Sequence, residues 1–576
     1  MKFRWSIAPS RTAEAQSLAD AWRLSPLVAQ CLLNRQFTTS EQIGKFLEPR
    51  LKDLADPRLI PQMETAVGRL LRAREQNKSV VIFGDYDVDG VTSTALLQSF
   101  LGALGWRVQF YLPHRLEEGY GLSQDAVENC LKKFSPALLL AVDCGSTAGA
   151  TIAWLRARGV ETIVLDHHQV SQPPPEAVAL VNPRAGAPGG NAPFTELCSV
   201  GLAFKLAHAI LRQARELAWP GASEIDLREF LDLVALGTVA DIVPLVGENR
   251  IFVSAGLLRL NQTRRSGLRA LQMVSQINGA IGCYEVGFQL GPRLNAAGRL
   301  ETAEAALQLL LTADPDEAQR LARALDAQNR DRQQIERAIC EQVVAGIRAR
   351  FKPETDFVIV EGEGSWHVGV VGIVASRVLQ EFYRPTIIVG GEGQEWRGSG
   401  RSIEGFDLAA ALQQCTDLLI RHGGHALAAG VSLQSDKLND FRVRLNEVAR
   451  RTLRAEQLRP VLKIDAEVAL AELSFEFLQS LERFHPHGPG NPQIHLVARG
   501  LFHQKPPQRM GRENQHAKLR VTDGRHSLEA VCWNRGAQSL LPGKSFDLAF
   551  IPQINEFNGR RTVQLKVLDW NDTGAI

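Results

Sequence analysis

Residues 79–90 read SVVIFGDYDVDG, and this stretch decides the fold. Val80 to Phe83 is an unbroken apolar, β-branched and aromatic run with no polar alternation, the pattern of a strand covered on both faces. Gly84 closes the run, and Asp85, Asp87 and Asp89 follow at alternate positions before Gly90 and a helical stretch from Val91 to Gly105. Working outward, four further apolar runs share this character: VQFYLP, LLLAVDCG, TIVLDHH and AVALVNP. Helical stretches such as Ala148 to Gly159 separate them. Strands alternating with helices from Ser79 to Pro183 define an α/β unit with a doubly wound, mainly parallel sheet.

In an open α/β sheet, ligands bind outside the carboxyl ends of the strands. The first strand delivers Asp85, Asp87 and Asp89 to that edge, the next carries Asp143, and the one after carries Asp166, His167 and His168. Asp241, in GTVADIVPL, completes the set. Carboxylate oxygens with one or two imidazoles suit Mn²⁺ or Mg²⁺ better than a thiolate-loving metal. So many acids on one edge repel one another unless cations neutralise them, and two ions about 3.5–4 Å apart resolve the conflict. Such a pair polarises a phosphoryl oxygen and lowers the pKa of bound water. The other reading of DYDVDG is a calcium loop, but its twelfth position is Leu96 rather than Glu and a strand precedes it.

The chain has 576 residues, which corresponds to roughly three or four folding units. With 45% hydrophobic and 22% charged residues it has an ordinary enzyme composition, and no apolar run is long enough to cross a bilayer. Lys2 and Arg4 are followed by no apolar segment, so the expected location is the cytoplasm, with no membrane partner. The eight cysteines are scattered without a CxxC pair, which argues against a thiolate zinc site and a disulfide framework. A net charge of +2 is too small to announce a polyanion partner, so any nucleic-acid binding must come from local patches.

The linker Gln172 to Pro175 and the glycine-rich Ala185 to Asn191 interrupt the first unit, and helices follow over Gly201 to Leu217 and Leu227 to Val239. A charged segment from Asp314 to Phe351 has apolar positions at helical spacing and reads as a long connecting helix. A second α/β unit starts at FVIVEGEG and runs to about Ala455. From there to Asp569, short strands broken by Gly, Pro and Asn read as a small antiparallel barrel. Residues 1–78 contain helical patterns and Trp5 and Trp22, without identifiable chemistry.

Two groups of residues suit a phosphate chain. Ser399, Arg401 and His425 lie among the glycines of GSGRSIEGFDL and GGHALAAG, where backbone N–H groups can approach an anion. Arg293, Asn295 and Arg299 cluster in GPRLNAAGRL. In the last unit Phe484, Phe502, Trp533 and Phe557 lie among Lys505, Arg509, Lys518, Arg520, Arg560 and Arg561, a composition suited to stacking bases in a cationic groove.

Taken in order, DVDG (Asp87 to Gly90), VDCGS, DHH and GTVADIVPL resemble the successive motifs of the DHH phosphoesterase superfamily. GPRLNAAGRL, WHVGVVGIVASR, GSGRSIEGFDL, GGHALAAG and PHGPGNPQ resemble its branch of single-strand-specific exonucleases with a DHHA1 domain. The resemblance spans about residues 80–570 with no acid or histidine of the metal set replaced. It implies an N-terminal helical segment (1–78), a DHH catalytic domain (79–313), a connecting helix (314–351), a DHHA1 domain (352–455) and an OB-like nucleic-acid-binding barrel (456–576). It further implies removal of mononucleotides from the 5′ end of single-stranded DNA with two Mn²⁺ or Mg²⁺ ions, in recombination and repair. Asp89, Asp143, His167 and Asp241 would hold one ion, and Asp85, Asp87 and Asp143 the other; with His168 as a ligand, an orienting group or a phosphate contact, Asp87, Asp89, Asp143, His167, His168 and Asp241 make the catalytic set. Expected partners are single-stranded DNA, a single-strand-binding protein and a RecQ-type helicase, met by a monomer.

Overall fold

The computed structural model describes residues 3–115, 117–119, 121–185, 192–300, 302–503, 505–534, 544–557 and 559–572. The chain divides into two compact units: Glu48–Gln334 with Pro486–Asn491, and Met1–Leu47, Ile335–His485 with Pro492–Ile576. Pro315–Arg350 is one continuous helix that contributes to both.

The first unit is built on a five-stranded sheet in the order Arg107–Tyr111, Ser79–Phe83, Leu138–Val142, Glu161–Leu165, Ala179–Val181, every pair parallel. Strand side chains alternate between two apolar layers. Val80, Ile82, Leu138, Leu140, Val142, Ile163 and Leu165 face the layer that holds helices Met63–Glu75, Val88–Ala103 and Ser199–Glu216. Val81, Phe83, Leu139, Ala141 and Val164 face helices Gln124–Lys133 and Gly149–Ala157. This two-sided burial explains the unbroken apolar runs. The chain order reverses between Ser79–Phe83 and Leu138–Val142, so the crevice at the switch point opens between the ends of these two strands.

The second unit contains two sheets. One is mixed, in the order Arg421–Gly424, Ala428–Gln434, Glu395–Arg401, Thr386–Gly390, Ile359–Glu363, and only its last pair is parallel. The other has seven strands and curls on itself: Phe502 N donates to Thr522 O at 3.0 Å and Thr522 N returns the bond at 2.9 Å. Strands Leu496–Leu501, Phe546–Phe557, Arg560–Asp572, Ser527–Cys532 and His516–Thr522 thereby close a five-stranded barrel.

The N-terminal residues have a structural role that composition did not reveal. Arg4–Ile7 pairs in parallel with Val461–Ile464, and Trp5 Nε1 donates to Asp569 at 3.0 Å. Val28, Leu32, Ile43 and Phe46 enter the same apolar core as Phe484, Leu496 and Phe550 of the barrel. Phe484 is fully buried and Trp533 is 47% exposed, so these two barrel aromatics serve different ends. Phe502 is half-buried, and the side chain of Phe557 lies outside the described residues. All eight cysteines are free thiols. Among the described residues no helix is long and apolar enough to cross a membrane.

Candidate metal centre

The loop after Ser79–Phe83 turns back tightly over the helix it starts. A Cβ on Gly90 would lie 2.6–2.8 Å from backbone N, C and O of Asp85, so only hydrogen fits there. Asp87 caps the helix, accepting from Gly90 N at 3.0 Å. Asp89, in the first turn, is buried and accepts from Ser199 N at 2.7 Å and Val200 N at 2.8 Å, donors that the first turn of helix Ser199–Glu216 leaves without an intrahelical acceptor. A Cβ on Gly237 would lie 2.4 Å from Thr92 Oγ1 and 3.1 Å from Asp89 Oδ1, so this glycine lets the helix carrying Asp241 approach the acids.

Across the switch point Asp143 sits at φ +64, a left-handed conformation that asparagine and aspartate tolerate best. Its Oδ1 accepts from Ser199 Oγ at 2.8 Å. Asp166, one strand further, is buried and committed to its own loop: it accepts from the backbone N of Ser146, His167 and His168 and pairs with His168 Nδ1 at 2.8 Å. A carboxylate only accepts, so Nδ1 carries the proton and His168 presents Nε2 outward.

His167 closes the centre. Its Nε2 lies 3.5 Å from Asp143 Oδ1, 3.5 Å from Asp241 Oδ2 and 3.9 Å from Asp89 Oδ2. His167 Nε2 and Asp241 Oδ2 are buried and have no hydrogen-bond partner among the described residues. Asp85, Asp87 and Asp143 form a second group whose ligand atoms lie within 4.8 Å of one another, and Asp143 is common to both. The residues expected to share each ion are thus brought together, around buried polar atoms that no described residue satisfies. That donor set fits two divalent ions.

The electrostatics agree. Burial, then the neighbouring acids, pushes Asp85 and Asp143 well above their ordinary 3.8. The same causes push Asp89 up to about 7 and Asp241 to about 9. Burial drives His167 down to about 3, leaving a neutral imidazole with a lone pair for a metal. Burial opposes charge on His168, but the Asp166 bond and the charges of Asp166, Asp85 and Asp87 raise its pKa. Burial also opposes ionisation of Asp166, yet His168 and Ser146 hold it below the usual carboxylate range.

Several contributors carry no motif letter. Ser199 orients Asp143, while Asn182 donates to Ser146 Oγ and to the His168 carbonyl, each at 2.8 Å. Cys198 lies within ligand distance of Asp89 and Asp241, but burial and these acids keep its thiol protonated, and it bonds Thr238 Oγ1 at 3.4 Å. Arg115 and Arg184 act on Asp85 and Asp241 through their charge. Only the run CSVG before an amphipathic helix could have flagged Ser199.

The remaining expected residues fall into two places. In the Glu48–Gln334 unit, Arg293, Asn295 and Arg299 lie on helix Gly291–Leu300, which rests on the acidic loop: a Cβ on Gly298 would be 2.8 Å from Tyr86 O. The Arg293 guanidinium is engaged by Asp326 at 2.9 Å and by the Gln289 carbonyl at 2.7 Å. In the other unit, Ser399 and Arg401 share one face of strand Glu395–Arg401, with Arg401 Nη1 donating to Ser399 Oγ at 2.7 Å. The first turn of helix Val371–Phe382 adjoins them, a Cβ on Gly372 lying 3.1 Å from Ser399 Oγ. His425 is exposed on the turn before Ala428, the residue paired with Arg401.

A parallel sheet with acids and paired histidines at its switch point defines the class: a metal-dependent phosphoesterase of the DHH type. The family models agree, with the DHH family N-terminal domain matching residues 79–238, the DHHA1 domain 355–451 and the RecJ OB domain 464–569. The single-stranded-DNA-specific exonuclease RecJ of Bacillus subtilis is 36% identical over 575 residues, covering 99% of this chain and 71% of its own. That of Dickeya dadantii is 37% identical over 543 residues, covering 90% and 92%. The crystal structure of Thermus thermophilus RecJ with Mn²⁺ superposes with a TM-score of 0.85 at 30% identity, covering 100% of this chain and 80% of that one; its Mg²⁺ form gives 0.79 at 29%, covering 99% and 79%. The chain belongs to the RecJ family.

Proposed function

We propose that this protein is a metal-dependent exonuclease that hydrolyses single-stranded DNA from its 5′ end to mononucleotides, in recombination and repair. The observation that carries the reading is the buried, unsatisfied pair His167 Nε2 and Asp241 Oδ2 at the switch point of the sheet. Asp89, Asp143, His167 and Asp241 would hold one Mn²⁺ or Mg²⁺, and Asp85, Asp87 and Asp143 the second. Bound there, the ions supply Lewis acidity to the phosphoryl oxygen and an activated water.

The chain's own residues do the rest. The helix start at Ser199 holds the Asp89 carboxylate in place, and Ser199 Oγ fixes the rotamer of the shared Asp143. Asp166 aims His168 at the scissile phosphate through its Nδ1 bond. Arg293, Asn295 and Arg299, on the helix above the acidic loop, meet the strand's phosphates, and Arg293 also holds that helix's first turn. Ser399, Arg401 and His425 take a further phosphate, and the closed barrel with its exposed Trp533 takes more distant nucleotides. We place the enzyme in the cytoplasm as a monomer, with a single-strand-binding protein and a RecQ-type helicase as its partners.

The test is release of acid-soluble nucleotide from a long single strand labelled at its 5′ or its 3′ end, with Mn²⁺, with chelator, and with Asp89→Ala. Early loss of the 5′ label, dependent on metal and on Asp89, is the expected result. Hydrolysis of dinucleotides without attack on the long strand would move the protein to a small-substrate phosphodiesterase.

A further inference from the structure

Tyr284 and Phe288 are 62% and 69% exposed, the two most exposed aromatic side chains among the described large hydrophobic residues. Their rings touch, with centroids 5.0 Å apart and planes at 30°. Large aromatics left in water together usually mark a surface that something covers.

The pair is held on a rigid support. One helical turn, Cys283–Glu285, runs into a π-turn, Val286–Leu290, and then into helix Gly291–Leu300. Val286 and Leu290 are fully buried, so the inward face anchors the turn while Tyr284 and Phe288, four residues apart, point outward. Glu285 Oε2 accepts from Gly282 N at 2.8 Å. Arg293 donates to the Gln289 carbonyl at 2.7 Å and is itself held by Asp326 at 2.9 Å. A π-turn inserts one residue, re-aims the side chains after it and recurs at functional sites.

The support adjoins the metal centre in the same unit. A Cβ on Gly291 would be 3.5 Å from Ala240 Cβ, and Ala240 directly precedes Asp241. Phe288 is one turn before Gly291, about 5 Å along the axis. Ile242, next after Asp241, is 71% exposed at φ +63. The turn that carries the two rings therefore adjoins the helix end that leads into Asp241, and the helix bearing Asn295 and Arg299 continues from it across the acidic loop.

We propose that Tyr284 and Phe288 form a stacking platform for an unpaired base of the strand being cut. The proposal rests on the function above and adds to it a source of strand selection. An unpaired base offers an open π-face whatever its identity, so stacking tolerates every sequence, as an enzyme that consumes a whole strand requires. A base inside a duplex has both faces covered by its neighbours and cannot use the platform. The occupant is nucleic acid rather than a second copy of the chain because the turn that carries the rings adjoins the helix end leading into Asp241 and continues into the helix that bears Asn295 and Arg299.

The test uses full-length protein and fluorescent oligothymidylate, with anisotropy read in chelator and turnover read in Mn²⁺. Tyr284→Ala with Phe288→Ala weakens binding and raises KM about tenfold, in line with the loss of one stacked base, and leaves kcat on saturating strand nearly unchanged. Phe288→Trp and Tyr284→Phe retain affinity. On an oligomer with abasic sites, wild type and the double variant bind equally. Equal affinity of the two proteins for the normal strand overturns the proposal, as does an undiminished effect on the abasic strand. So does a wild type that sediments as a dimer while the variant is a monomer. Loss of binding by the variant where wild type binds but does not cut would sink the exonuclease reading and leave the platform standing.

Discussion

His167 Nε2 lies 3.5 Å from Asp241 Oδ2, both atoms buried and neither hydrogen-bonded among the described residues. Each unsatisfied buried polar group costs about 1–3 kcal/mol, so the fold carries a penalty here that a shared cation removes. Mn²⁺ at one hundred times its Kd is therefore expected to stabilise the unit containing the centre by about 2.7 kcal/mol, raising its Tm by several degrees. In Asp241→Asn the increment disappears while the metal-free Tm holds or rises. Thermal unfolding with and without chelator checks this. An identical Mn²⁺ shift in the variant would show that the ion binds elsewhere.

The same acids set a pH dependence. Asp89 and Asp241 move from an ordinary 3.8 up to about 7 and about 9 on folding, so the metal-free folded state binds protons that the unfolded state has released. Their contribution to stability is greatest at low pH and is lost as pH rises through 7 and 9. His167, lowered from 6.5 to about 3, acts with the opposite sign, but only below about 6.5. Between pH 6.5 and 9 the metal-free protein should therefore lose stability from this centre, while the Mn²⁺ increment grows because the ligands deprotonate. Melting curves at pH 6.5, 7.5 and 8.5 would show the gap between the two forms widening; a constant gap would contradict the raised acids.

The grouping of the candidate ligands was legible because they lie at strand ends, where apolar runs stop and acids begin. Asp85, Asp143 and His167 follow within two residues of Val80–Phe83, Leu138–Val142 and Thr162–Leu165, and a parallel sheet brings such ends to one edge. Ser199, Ser146 and Asn182 were not legible, since a hydroxyl or amide between helices has no periodicity to betray its partner. The bond between Arg293 and Asp326 was not legible either, since it joins residues 33 apart in sequence. The shared core of residues 1–47 with the barrel was hidden for the same reason, as apolar spacing shows that a face is buried but not against what.

Two glycines on one helix separate crowding from propensity. Gly90 faces the backbone of Asp85 at 2.6–2.8 Å, whereas a Cβ on Gly102 meets nothing within 4 Å. Gly90→Ala must push the metal loop away and is expected to destabilise by about 2 kcal/mol or more and to abolish Mn²⁺ stabilisation. Gly102→Ala, near the end of Val88–Ala103, should instead stabilise by about 0.5–1 kcal/mol. Denaturant unfolding of both variants distinguishes them, and equal effects would contradict the close approach.

Ser199 gives the sharpest test of a residue that carries no motif letter. Its backbone N–H binds Asp89 and its Oγ binds Asp143, so one residue at the start of a helix links acids from two strand ends. Ser199→Ala keeps the first bond and removes the second. A hydrogen bond to a charged group contributes about 1.5–3 kcal/mol, and here part of it goes into holding Asp143 in the rotamer that both ions would share. The expected result is a kcat about tenfold lower, a weaker Mn²⁺ titration midpoint and a secondary structure unchanged by circular dichroism. Because Asp143 belongs to both ligand groups, the loss should appear in both phases of a two-site Mn²⁺ titration. A shift confined to one phase would mean that Asp143 is not shared, and unchanged midpoints with unchanged kcat would reduce the Ser199 hydroxyl to packing.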